Sequence, residues 1–255
     1  LKETDRIDAL LAGELQAAAV ERVEERLVRA HLKDDQGGLR DLTAKLAIYP
    51  RRTATRLTPS VDGDFSDWTK IEPVTFNSDR TGVKVETRLA WDEKCLYAAV
   101  DVRGPFAPQA PDTLGNFWKN DCVEIFIDLG NQKRQMYDAD DWQLFFCPVG
   151  LENGPAFGGL LTRERKGDEM KVVETRAEPT FVTKAVTGTD GYRLECAVPW
   201  NILSKSFRPV AGLRLGLDVA ANHNDKGIAL CTSVLGLAGK AHARPDKWGV
   251  VTLVE

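Results

Sequence analysis

The hydrophobic period of this chain changes near residue 55, and that change limits its fold more than any other feature. Val83, Val85, Thr87, Leu89 and Trp91 alternate with Lys84, Glu86, Arg88 and Ala90. Leu96, Ala98, Val100 and Val102 alternate with Tyr97, Ala99, Asp101 and Arg103, and Val123, Ile125, Ile127 and Leu129 with Cys122, Glu124, Phe126 and Asp128. A period of two turns one face of each strand toward a core. Further strands are expected at 142–148, 157–163, 180–187, 191–198, 213–221, 228–233 and 248–254. Turn formers separate them, among them Asp92-Glu93-Lys94, Gly130-Asn131 and Asn224-Asp225-Lys226-Gly227. Many short strands with no helix between them imply a mainly β fold, an antiparallel β-sandwich over residues 56–255.

Residues 1–55 are of another kind. They hold one aromatic, Tyr49, and ten basic against ten acidic side chains. Ile7, Leu10, Leu11, Leu15, Ala18, Val23, Leu27 and Ala30 recur at helical spacing, with pairs such as Glu25 and Arg29 four apart. A helix over about 5–31 is expected, ended by Asp34-Asp35-Gln36-Gly37-Gly38, with a shorter helical or irregular piece at 39–46. This N-terminal helical segment reads as a linker or the tail of an upstream domain.

Composition excludes several function classes. The net charge is −4, against a broad cationic surface for nucleic acid. No apolar run approaches the roughly 20 residues of a membrane helix. The five cysteines lack CxxC spacing and are expected as buried thiols. The first residues, Leu1-Lys2-Glu3-Thr4-Asp5, lack the layout of a secretory leader.

All six tryptophans lie after residue 60. Trp68 and Trp91 fall on apolar faces, Trp200 is placed to anchor a loop, and Trp248 begins the last strand. Trp118 instead precedes a strand in which alternation turns Glu124 away from the core, where Glu is disfavoured. An aromatic ring at a strand mouth beside a carboxylate suits a sugar. The ring stacks on its C–H face and the carboxylate accepts its hydroxyls. A Trp118 that merely packs its loop onto the fold is the competing reading.

The order of motifs then carries a resemblance. Val61-Asp62-Gly63-Asp64-Phe65-Ser66-Asp67-Trp68 is followed by Trp91-Asp92-Glu93-Lys94 and by Trp118-Lys119-Asn120-Asp121-Cys122-Val123-Glu124-Ile125-Phe126-Ile127-Asp128. Next come Tyr137-Asp138-Ala139-Asp140-Asp141-Trp142-Gln143, Gly191-Tyr192-Arg193-Leu194-Glu195, and Asp246-Lys247-Trp248-Gly249. Residues 56–255 resemble the family 9 carbohydrate-binding modules, the CBM9-like β-sandwiches of secreted polysaccharide-active proteins. The resemblance implies a non-catalytic module that clamps a polysaccharide or oligosaccharide between two aromatic rings. It also implies structural calcium, an upstream domain in the same parent chain, and a secreted or periplasmic location. Trp118 matches the first clamp ring and Glu124 the site glutamate.

Elsewhere the pattern departs. Phe145 and Cys147 stand where an Arg and an Asn are expected, Ala221-Asn222 where an Asn-Asp is expected, and the second clamp ring is missing from Lys240-Ala241-His242-Ala243-Arg244-Pro245. The candidate sugar contacts are therefore Trp118, Glu124, Phe145, Asn222, His242 and Arg244. The calcium candidates are Asp62, Asp64, Asp138 and Asp140, in oxygen-rich loops. A structural or protein-interaction β-sandwich that has lost sugar binding is the alternative. A haem site is not expected, because Met170, His223 and His242 do not converge. A glycosidase would need a carboxylate pair, Glu124 with Asp101 or Glu195.

Overall fold

A computed structural model describes residues 24–33, 39–48, 52–78, 82–225, 228–233 and 241–255. The chain divides into two compact units, residues 1–51 and 52–255.

In the first unit, β1 (Glu24–Lys33) pairs antiparallel with β2 (Leu39–Ile48), so that Val28 meets Ala44 and Ala30 meets Leu42. This corrects the expected helical segment. Residues 24–31 of the expected helix are strand, and so is the piece at 39–46. The sequence here satisfies two periods at once. Val28, Ala30 and Leu32 alternate with Arg29, His31 and Lys33, and a ten-residue antiparallel ladder pairs the two strands. The remainder of the expected helix, 5–23, lies outside the described residues.

The second unit contains β3 (Arg52–Arg56), β4 (Val74–Ser78), β5 (Val83–Trp91), β6 (Cys95–Arg103), β7 (Cys122–Asp128), β8 (Asp141–Cys147) and β9 (Phe157–Lys166). It continues with β10 (Glu169–Ala177), β11 (Val182–Gly188), β12 (Gly191–Pro199), β13 (Arg214–Asp225), β14 (Ile228–Ser233) and β15 (Gly249–Val254). These strands form one curled sheet in the order β10-β9-β8-β7-β13-β15-β3-β5-β6-β12-β11, with β14 on β13 and β4 on β5. Two half-sheets, β10 to β15 and β5 to β11, are thus joined by β3. The expected all-antiparallel arrangement needs correction at that join. β3 runs parallel to β15, with Val251 opposite Arg52, and parallel to β5, with Thr55 opposite Ala90. Its polar run Arg-Thr-Ala-Thr-Arg has no hydrophobic alternation to announce a strand. No helix among the described residues is long and apolar enough to cross a membrane.

The inner faces of both halves share one core. Val85, Leu89 and Val100 from one half pack in the same cluster as Ile125, Phe146 and Leu217 from the other. Four tryptophans pin segments to this frame through their indole N–H groups. Trp91 donates to the Val254 carbonyl, Trp200 to Asp92, Trp248 to Ala241, and Trp68 to the Glu195 carboxylate. The outer faces are covered as well. The segment holding Val61, Phe65 and Trp68 packs on Ala90, Tyr97, Ala99 and Ala197. Buried Glu195 fixes it by accepting from Gly63 N at 2.6 Å and Trp68 Nε1 at 2.6 Å.

Asp92 organises the turn between β5 and β6. Its carboxylate accepts from the amides of Lys94 and Cys95, both at 2.7 Å, and from the hydroxyls of Thr58 and Tyr97. Burial pushes its pKa up, but these four donors outweigh burial and hold it below the ordinary range. A depressed carboxylate pKa means that the unfolded chain binds the proton more readily. The stabilisation is therefore present above the unfolded value of about 3.9 and lost as pH falls through the folded value. Asp92→Asn is expected to lower stability at pH 6 by about 1.5–3 kcal/mol. It should also flatten the loss of stability between pH 5 and 3, as measured by urea unfolding at each pH.

Candidate functional site

On the outer face of the half-sheet β9-β8-β7-β13, four polar side chains form a hydrogen-bonded chain. Asn222 Nδ2 on β13 donates to Glu124 Oε1 on β7 at 2.7 Å. Gln143 Nε2 on β8 donates to Glu124 Oε2 at 2.6 Å. Arg163 on β9 in turn donates to Gln143 Oε1. The register makes this chain a diagonal. Asn222 stands opposite Cys122, and Glu124 is two residues on. Glu124 stands opposite Phe145, and Gln143 is two residues from it. Gln143 stands opposite Leu161, and Arg163 is two residues further. Diagonal neighbours in adjacent strands lie within reach of long side chains.

The diagonal separates two apolar clusters. On one bank Phe117, Cys122, Phe145 and Cys147 pack with Leu114, Phe157 and Leu161. On the other, Phe126, Tyr137, Ala220, Ala241 and Trp248 pack together, with Met170 against them. The first bank carries the 3-10 segment Leu114–Lys119, whose Phe117 stacks on Phe145 with ring centroids 4.1 Å apart. Gly159 makes room for that stack, since a Cβ there would come within 2.3 Å of the Phe145 ring. Trp118, next in sequence, is 45% exposed, with the Lys119 ammonium 5.4 Å from its ring centroid. The second bank carries the turn Ala241–Ala243, with His242 exposed. There Arg244 makes two hydrogen bonds to Asp246.

Alternation placed Glu124 on the outer face, and that is where its side chain lies. It is nevertheless only 4% exposed, because the two banks cover the strand from outside. Burial pushes its pKa up, while the bonds from Gln143 and Asn222 and the nearby Arg163 charge favour the carboxylate. Arg163 is half-buried, its guanidinium 3.6 Å from the Tyr137 ring centroid. The structure thus joins Glu124 and Asn222 on one face, while Trp118 belongs to the 3-10 segment on one bank and His242 lies in the turn on the other, with Arg244 directly after it. Phe145 is fully buried under Phe117, a wall of the site and not a surface of it.

The resemblance matches Gln143 only as the end of the acidic stretch with Asp138, Asp140 and Asp141, not as a sugar contact, and Arg163 is a member that sequence reasoning did not assign. Arg163 shares its strand face with Phe157, Gly159 and Leu161, so parity along β9 carried the signal. The carboxylates considered as partners for Glu124 lie on strands of the other half-sheet. Glu195 on β12 is tied to Gly63 and Trp68, and Asp101 on β6 pairs with Arg103 at 2.6 Å. Of the haem candidates, His223 Nδ1 lies 2.7 Å from Asp121 Oδ1 and its ring stacks on Phe106.

The candidate calcium carboxylates are engaged with N–H donors. Asp62 accepts from Asp64 N, Asp64 from Ser66 N, Asp138 from Asp140 N, and Asp140 from Gln132 Nε2. Among the described residues no group of three or more His, Cys, Asp or Glu is arranged to hold a metal ion. Neighbouring Asp141 has its carboxyl pushed up to about 7 by burial and by Asp138, Asp128 and Asp140.

Gln143 links a buried carboxylate to a guanidinium, so its loss leaves both charges poorly compensated. Gln143→Leu is expected to cost about 3–5 kcal/mol in urea unfolding. A loss below about 1 kcal/mol would show that the amide does not couple them.

The family model described as carbohydrate family 9 binding domain-like matches residues 61–255. Endo-1,4-beta-xylanase A of Thermoanaerobacterium saccharolyticum is 29% identical over 178 residues, covering 68% of this chain and 13% of that protein. Endo-1,4-beta-xylanase A of Thermotoga neapolitana is 30% identical over 192 residues, covering 72% of this chain and 16% of that protein. The matched region therefore spans under a fifth of either relative. Among solved structures, a family 9 carbohydrate-binding module from Caldicellulosiruptor kristjanssonii in complex with cellotriose superposes with a TM-score of 0.61 at 25% identity. That match covers 80% of this chain and 93% of the other. The module from the same organism with glucose gives a TM-score of 0.60 at 25% identity, covering 80% and 95%. With a polar diagonal between two loop-bearing banks and a family match over most of its length, this chain belongs to the carbohydrate family 9 binding domain-like family.

Proposed function

We propose that this chain is a non-catalytic module that binds a neutral oligosaccharide of glucose or xylose units. The sugar stacks on Trp118, beside the Asn222–Glu124–Gln143–Arg163 diagonal. The observation that supports this reading is an exposed tryptophan on the 3-10 segment whose Phe117 packs on Phe145, the residue opposite Glu124 in a run of amide, carboxylate and guanidinium groups from four strands. Glu124 acts from beneath by orienting the Asn222 and Gln143 amides. Arg163 supplies a guanidinium at the end of the diagonal where Phe145 supplies none, and His242 and Arg244 border the site where a second ring is missing. The glucose and cellotriose complexes of similar modules support the ligand class. The xylanase relatives support a place within a larger, secreted or periplasmic, polysaccharide-degrading protein with an upstream domain.

One observation favours a second reading, a structural or protein-interaction sandwich. Glu124 and Asn222 are nearly inaccessible from outside.

Isothermal titration with cello- and xylo-oligosaccharides separates the two. The proposal expects saturable binding that weakens at least tenfold, about 1.4 kcal/mol, in Trp118→Ala. Absence of binding to every such sugar, or undiminished binding by a folded Trp118→Ala protein, overturns it.

A further inference from the structure

We propose that Cys122 and Cys147 form a cross-strand dithiol that closes to a disulfide in the presence of a small-molecule disulfide, pinning the strand ends beneath the Trp118 segment. In the ladder between β7 and β8, Val123 stands opposite Phe146. Cys122, the first residue of β7, and Cys147, the last of β8, come next in the same register. They share the outer face. Cys122 Sγ lies 3.3 Å from Asn222 Nδ2, and both cysteines pack in the cluster under Phe117. Residues directly opposite in an antiparallel pair have Cα atoms about 4.5–5.5 Å apart. A disulfide spans about 4.4–6.8 Å, so closure needs no change of register. Both residues are thiols in this structure.

The other cysteines do not meet this geometry. Cys95 stands opposite Pro199 and Cys196 opposite Ala98, three residues out of step, and the two pack in different clusters. Cys231 stands opposite Asn222, so it lies two strands from Cys122, about 9.5 Å away and beyond disulfide reach.

The chemistry balances with oxidised glutathione as oxidant. One cysteine thiolate attacks its disulfide, giving a mixed disulfide and releasing one glutathione thiolate. The second cysteine thiolate attacks the protein sulfur of the mixed disulfide and displaces the second glutathione. The two cysteine protons pass to the released glutathione, so two protein thiols are oxidised and one small disulfide is reduced. Burial pushes the Cys147 thiol up and slows attack in the closed fold. The position of both residues at strand ends allows closure during folding or by fraying.

The test refolds the full chain in oxidised and reduced glutathione, then alkylates in denaturant and maps peptides by mass. Expected are three alkylated cysteines out of five, one linked Cys122–Cys147 peptide, and a Tm about 5 °C or more above the reduced protein. Cys147→Ser should abolish both the linked peptide and the Tm difference. Alkylation of all five cysteines after oxidative refolding, or linkage of a different pair, overturns the proposal. The mapping on the unaltered chain decides the matter even where the variant fails to fold.

Discussion

Everything in the second unit depends on the shared apolar interior of the two half-sheets. Neither half could shield its inner face alone. Burial of Val, Ile, Leu and Phe side chains from both sides supplies the main driving force, at roughly 25 cal/mol per Å² of apolar surface. β3 makes this arrangement continuous. It is short and polar, and it sits between β15 and β5 because its backbone groups serve both neighbours. The outer face of one half is then free to carry a polar diagonal, since the interior already holds the sheet together.

Covering that outer face changes the physics of the site. A carboxylate at a solvated strand surface would be a weak, screened partner. Here two apolar banks remove most of the water, so the amide-to-carboxylate bonds act in a medium of lower dielectric. The same banks present Trp118 at one side and the His242 turn at the other. Packing, electrostatics and presentation of the ring therefore come from the same two clusters.

Much of this was legible in the sequence, and the failures have physical causes. The inner faces of β5, β6 and β7 alternate cleanly because they lie over a dry core, and parity alone gave Glu124 its face. β10 was missed because its Val172 and Val173 are exposed and a bulge separates Val172 from Glu174, which breaks the period. The N-terminal strands were mistaken for helix because leucine and alanine there satisfy both periods. The position of Phe145 in its motif implies a ligand contact, yet its side chain is fully buried. Its burial is decided by Phe117 and Gly159, neighbours remote in sequence. Arg163 was visible by parity but stood on a strand to which the family pattern assigns no such role.

The polar diagonal also has a consequence for how the chain chooses its pairing. Each of its four members comes from a different strand. A slip of one residue in any of the three ladders would turn the slipped strand over and drive Glu124, Gln143, Arg163 or Asn222 into the apolar interior. For the two ionised groups that displacement would cost several kcal/mol, far more than a mispaired aliphatic residue. The groups that give this face its chemistry thus also exclude the alternative registers that four hydrophobic strands could otherwise adopt.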